Sequence, residues 1–291
     1  MKKTELAVCL AAFAFVSLAG WLYAGDSPST ALQLTPQDAL ETHGLSVFVF
    51  HNSYHGVFGD EKMSGVEIVL HDERIAANGD VRLSPTPAQW DAIPRFQDRK
   101  RGLSPNELIA SLAYPDRGLA YHIDVRPEEG GFRVAVQLDH PLPPALEGKA
   151  GFNLEFLPTA YFGKSYLLDG SFGIFPRHPG GPMEKQADGA VEPAPLARGG
   201  RIELSPEDPM TRVSISSERV PLMLFDGRNQ AQNGWFVVRS LIPSDKTGDV
   251  VVWHVHPNVI RGWTRPPVMA YNQVGYTPER SKIAVLELDP L

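Results

Sequence analysis

His254 and His256 stand two residues apart in a run of β-branched and aromatic residues. On a strand that spacing puts both imidazoles on one face, an arrangement that suits zinc or copper. His51 and His55, in an earlier strand-like run, are the residues that could join them. A zinc centre wants three or four ligands, and no spacing here supplies the others, so no metal centre is assigned. A solvent-facing pair on a half-buried strand is the plainer reading. Among the acids, Asp80, Glu155, Asp169 and Asp226 are candidates for work that needs two carboxyl groups about 5–9.5 Å apart, such as cleavage of a glycosidic bond. They are scattered in the sequence, and roles in turns and caps account for them, so no catalytic residue is assigned. Gly163-Lys164-Ser165 has the end of a phosphate loop, but the position of its first glycine is Pro158. No Gly-x-Ser-x-Gly elbow occurs, and no motif implies a cofactor.

The remaining candidates are aromatic. Flat apolar faces of sugar rings pack on aromatic planes, and Trp90, Tyr161, Tyr166, Trp235, Trp253 and Trp263 could serve. Asn153, Asp169, Asn229 and Asn233 could bond hydroxyls. Trp235 and Trp253 sit inside strand patterns and read as core. Tyr161, Phe162, Tyr166 and Asp169 surround the Gly163 corner, just after the Pro158 break. They form the proposed carbohydrate platform, since corners and glycines recur at ligand rims.

Composition limits the alternatives. The 291 residues carry a formal charge of −7, which repels phosphate backbones and argues against a nucleic-acid partner. A hydrophobic fraction of 43% supports a real core, and 26 glycines with 26 prolines favour turns and short strands. Cys9 is the only cysteine, so no disulfide framework exists. Lys2 and Lys3 precede an apolar run over residues 6–23, with Leu22-Tyr23-Ala24 before Gly25 as a tolerable cleavage site. Residues 1–24 therefore read as a signal peptide. Retention of residues 6–23 as a membrane anchor is the rival, because about 18 residues approach a bilayer span. Either way the body is expected outside the cytoplasm, in the periplasm or at the cell surface.

The elements that must position these residues are strands. A polar spacer is expected over residues 25–37. Strand patterns follow at 45–50, 66–70, 74–76 and 81–83, with Asn78-Gly79 as a tight-turn signal between the last two. Residues 84–90 suit a short helix, capped by Thr86 with Pro87 at its first position. The clearest hairpin pairs 119–126 with 132–138, where Phe132, Val134, Val136 and Leu138 share one face. Further strand patterns lie at 107–114, 151–157, 165–169, 201–204, 212–216, 220–225, 235–241 and 250–256. Residues 177–200 are rich in Gly, Pro and Ala without period and read as a long loop. The expected fold is all-β: an antiparallel two-sheet β-sandwich over residues 38–262, followed by a separate strand–corner–strand.

That last unit is Tyr271-Asn272-Gln273-Val274-Gly275-Tyr276-Thr277-Pro278 with the apolar run Lys282-Ile283-Ala284-Val285-Leu286-Glu287-Leu288. Two strands alone are marginal in water, so this pair is expected to need further strands. Asn-Gln-Val-Gly-Tyr-x-Pro followed by Lys-Ile-Ala-Val resembles the opening of the immunoglobulin-like domain that precedes the catalytic domain in bacterial family 9 glycoside hydrolases, the cellulase type. It covers roughly a quarter of a domain of about 100 residues. The stretches at 78–83, 86–91, 150–158 and 224–229 resemble an accessory β-domain found ahead of it in some of these enzymes. The resemblance implies that residues 266–291 are the first strands of a truncated immunoglobulin-like domain. It implies as partners downstream immunoglobulin-like and catalytic domains, with inverting hydrolysis of β-1,4-glucan as the parent's activity. It carries no catalytic residue onto this chain, which lacks the family's Asp pair spaced three apart. A self-sufficient carbohydrate-binding or adhesive surface module is the alternative, with polysaccharide as its partner.

Overall fold

The structure, a computed structural model, describes residues 31–55, 61–86, 91–186, 189–230 and 234–289. Alternation of apolar and polar residues dictates most of it. Tyr121, Ile123 and Val125 are buried on one strand, and Phe132, Val134 and Val136 on its neighbour. Such strands bury one face only and so require a second sheet.

The first sheet has the spatial order Gln33–Leu34, Leu40–Thr42, Leu45–Val49, Val66–Leu70, Glu73–Arg82, Gly151–Phe156, Phe236–Leu241, Leu222–Asp226 and Ala197–Gly199. The second runs Ser171–Ile174, Ser165–Leu168, Arg201–Leu204, Val213–Ser217, Gly248–Pro257, Gly131–Leu138, Leu119–Glu128, Leu108–Tyr114 and Arg95–Arg101. Neighbouring strands pair antiparallel throughout. One continuous apolar core joins the sheets. Trp253, fully buried in the second sheet, meets Phe152 of the first edge-on at 4.9 Å, and its indole N–H donates to Ser240 Oγ across the core. Tyr114 and Tyr121 of the second sheet likewise donate to Val81 O and Asp80 Oδ1 of the first. Polar tips on large rings thus close buried bonds between sheets instead of leaving orphans.

Two sequence expectations are corrected. Asn78-Gly79 is not a turn. Glu73–Arg82 is one ten-residue strand that bulges there against both neighbours. Asn78 takes φ +54°, and its side chain donates to Glu155 Oε2. Gly79 lies against Gly65, where a Cβ on Gly65 would come within 2.2 Å of Gly79 O. The pair of glycines therefore admits an extra residue that two side chains would exclude. The real two-residue turn is His71-Asp72, at φ +51° and +64°, joining Val66–Leu70 to Glu73–Arg82. Residues 177–200 hold the short strands Met183–Lys185, Val191–Pro193 and Ala197–Gly199, and the last of these extends the first sheet. Three-residue strands are too short to show a period. Arg95–Arg101, dense in charge, is nonetheless the edge strand of the second sheet. An edge pairs on one side only, and charges there discourage further pairing.

Residues 87–90 of the expected helix, with Trp90, lie outside the described residues, as do the targeting segment at 1–24 and residues 25–30 of the expected spacer. Among the described residues no helix is long and apolar enough to cross a membrane. Val268–Tyr271 pairs with Ala284–Glu287 in a two-stranded sheet of its own, and both strands are exposed along their whole length.

Candidate functional site

The corner at residues 161–169 is built differently from a platform. Pro158–Tyr161 makes one helical turn, which swings the Tyr161 ring into the core, where it is 0% exposed. Phe156 stands edge-on to it at 5.5 Å, Phe175 lies at 5.4 Å, and its hydroxyl donates to Thr211 O. Burial pushes its phenol well above the ordinary range. Tyr166 is buried beside Phe175 and lies across Gly173, which has no side chain to obstruct it. Phe162 is half-buried between Phe236 and the Arg228 guanidinium. Asp169, at φ +46°, accepts from the backbone N–H groups of Gly200 and Arg201. Sugar stacking needs an open ring face, and Tyr161 has none. The exposed ring is Phe172, 81% accessible and paired on the outer face with Leu167. The signal was parity: Tyr166 and Leu168 face inward, so Leu167 and its partner across the Asp169-Gly170 turn face outward.

The scattered acids are all engaged in the scaffold. Asp80 accepts from Tyr121, Glu155 from Asn78, and Asp226 caps Gly227–Asn229 and pairs with Arg228. Asn153 is fully buried beside Arg239, and Asn229 holds Gly181 O; Asn233 lies outside the described residues. Trp235 is half-buried and offers its carbonyl to Gly227. Trp263 is half-buried against His43 and His71.

His254 and His256 do share the outer face of the second sheet, and that face carries the densest unusual polar cluster. His254 Nδ1 lies 2.7 Å from Glu128 Oε2, and its Nε2 lies 2.8 Å from Glu218 Oε1. Both ring nitrogens can be satisfied at once only if both donate, so this is the imidazolium form. Glu128, paired with Gly131 on the strand between, reaches His254 from two strands away. Its second oxygen, Oε1, is buried without a hydrogen bond among the described residues and faces His256 Nε2 at 3.4 Å. His51 does not join them. It contacts Arg99 on the edge strand Arg95–Arg101, four strands and about 19 Å away at ordinary strand spacing. The side chain of His55 lies outside the described part of the structure. Among the described residues no set of three ligands converges on a metal position.

Next to this cluster, Arg133 of the middle strand pairs with Asp124 and Asp249. Burial and the neighbouring Glu107 carboxylate push Asp124 up to about 6 against the pull of Arg133. Around His254, burial works against the charged ring, but the hydrogen bonds to Glu128 and Glu218 outweigh it and hold its pKa above the ordinary histidine value. A group whose folded pKa is raised stabilises the fold fully below the unfolded pKa of about 6.5 and loses that contribution as pH rises through the folded pKa. Glu218→Gln should therefore lower Tm at about pH 5, and the gap from wild type should close by about pH 9. Melting curves across that range check this; a gap that widens with pH would contradict it. His254-x-His256 was visible in the sequence, whereas Glu128 and Glu218 were not, because only strand register brings them together.

At the end of the sandwich where Gly248–Pro257 leaves the second sheet, a cavity of about 380 Å³ opens. Glu203, Ser214 and His256 lie along one row of adjacent strands on its wall. Arg212, Asn258 and the Gly130-Gly131 turn complete the polar lining, over apolar Leu32, Leu45 and Val259. Comparison with known proteins adds no assignment. No family model matches the chain, and no curated protein matches it.

Proposed function

We propose that this chain is the non-catalytic N-terminal portion of an exported, family 9-type glycoside hydrolase acting on β-1,4-glucan. The sandwich is its accessory domain, and residues 266–291 open an immunoglobulin-like domain that leads towards the catalytic part. The observation that carries the reading is the 268–287 hairpin, whose residues are those of the resembling motif. Val268, Met269, Tyr271, Val274, Ile283, Val285, Leu286 and Leu288 are all exposed. Successive residues of a strand face opposite sides, so both faces of this hairpin are apolar and uncovered. An apolar surface of this kind marks an interface, and further strands on either side would cover it.

Its attachment to the sandwich is polar and sits at the base. Arg265 reaches Asp72 and Glu287, Asp289 approaches His43, and Trp263 packs against the His43 and His71 rings. His71 is fixed as the neutral tautomer with hydrogen on Nδ1, because Nδ1 faces Met210 O while Nε2 accepts from Ile260 N–H. This geometry suits a joint that sets the direction of the next domain. With Asp80, Glu155, Asp169 and Asp226 engaged in the scaffold, this reading leaves the glucan-cleaving chemistry to the catalytic domain beyond the immunoglobulin-like one.

Two measurements test the reading. Purified chain incubated with carboxymethyl-cellulose should release no reducing ends. Amide exchange should be fast at Val274 and Val285 and slow at Val134, which is buried in the central hairpin. Hydrolysis abolished by substitution of an acid in the sandwich would overturn the first expectation. Protection of the hairpin equal to that of Val134 would overturn the second.

A further inference from the structure

The cavity at the end of the second sheet is a binding site of mixed polarity, and its chemistry selects a ligand class. Glu203 is half-buried, and its carboxylate has no hydrogen bond or ion pair among the described residues. Ser214 stands directly beside it across one strand pairing, and His256 directly beside Ser214 across the next. Acceptors and donors thus alternate along one line at the strand spacing of about 5 Å. Arg212 faces the same space and is steadied by Asn258 Oδ1 and Pro206 O, not by a carboxylate. Glu128 Oε1, buried and without a hydrogen bond among the described residues, faces His256 Nε2 at 3.4 Å.

The signs decide between ligands. An anion would meet Glu203 at close range, and a cation would meet Arg212. A neutral molecule carrying both donors and acceptors meets neither penalty. Val259 in the lining offers apolar contact for C–H surface. At about 380 Å³ the space lies within the range of small-molecule pockets. We propose that this cavity binds a neutral polyhydroxylated ligand, one or two sugar rings in size. Glu203 accepts from vicinal hydroxyls, and Ser214, His256 and Arg212 bond the remaining ones. The Glu128–His254–Glu218 clamp lies beside His256 on the same face and meets it through Glu128.

Amide and side-chain NMR titrations of the full chain test this, with glucose, cellobiose, inorganic phosphate and a diamine as separate probes. Glucose or cellobiose should give saturable shifts at Ser214, His256 and Gly131. Glu203→Ala and Ser214→Ala should each weaken that binding about tenfold or more, the scale of a lost bond to a charged or buried partner, with Tm unchanged. Glu203→Gln keeps the shape and should weaken it less; it serves as the readout if the alanine variant fails to fold. Absence of saturable shifts with both sugars would overturn the proposal. So would shifts produced only by phosphate or the diamine, or sugar binding indifferent to Glu203. These outcomes leave the accessory-domain reading untouched, since that rests on the hairpin and on the absence of hydrolysis.

Discussion

Tyr161→Ala should cost the sandwich about 3–5 kcal/mol, the range for removing a large aromatic side chain from a packed core. The ring has no solvent exposure and meets Phe156 and Phe175 within 5.5 Å. Its hydroxyl also satisfies Thr211 O, so truncation leaves a buried acceptor open as well as a cavity. Tyr161→Phe separates the two effects and should cost about 1 kcal/mol, the hydrogen-bond part alone. Urea denaturation of both variants gives the comparison. The opposite pattern, an unchanged midpoint with loss of glucan pull-down by Tyr161→Ala, would place the ring at a surface and restore the platform expected from the sequence.

Arg239→Met should be of similar size, about 3–5 kcal/mol, from several buried acceptors left open at about 1–3 kcal/mol each. Arg239 is 1% exposed and pairs with no carboxylate among the described residues. Its guanidinium instead donates to Ser84 O, Arg82 O, Lys149 O and Asn153 Oδ1. Three of these acceptors are backbone and cannot be substituted away. Methionine fills much of the volume but leaves them buried and unbonded. Gly151 makes the arrangement possible, because a Cβ there would come within 2.9 Å of the Arg239 guanidinium carbon. Arg239→Lys should recover only part of the loss, since one ammonium cannot span acceptors fanned around a planar fork. Equal stability of the methionine variant and wild type would show that the carbonyls find water or other donors.

Much of the strand content was legible because burial on one face imposes period two. The strands at 66–70 and 201–204 fall where alternation puts them, and the hairpin of Leu119–Glu128 with Gly131–Leu138 extends the expected one by a residue or two at its turn. Edge strands were less legible. Arg95–Arg101 and Ser171–Ile174 pair on one side and expose most of their residues, so little burial shapes their sequence. Asn78-Gly79 misled because the same preference for φ > 0 serves a turn and a bulge. Which one forms depends on Gly65 across the sheet.

Sequence alone determined that this chain is all-β, acidic and rich in corners, because periodicity, charge and turn chemistry are local properties. It also singled out His254 and His256, whose shared face follows from strand geometry. Only the tertiary structure decided that Tyr161 is core, since one helical turn at Pro158–Tyr161 carries its ring inward. Only strand register could bring Glu128 and Glu218 onto the two nitrogens of His254, and align Glu203, Ser214 and His256 along one cavity wall. Those residues are far apart in the chain, and their meeting is set by which strands lie side by side, a long-range choice that no local pattern encodes.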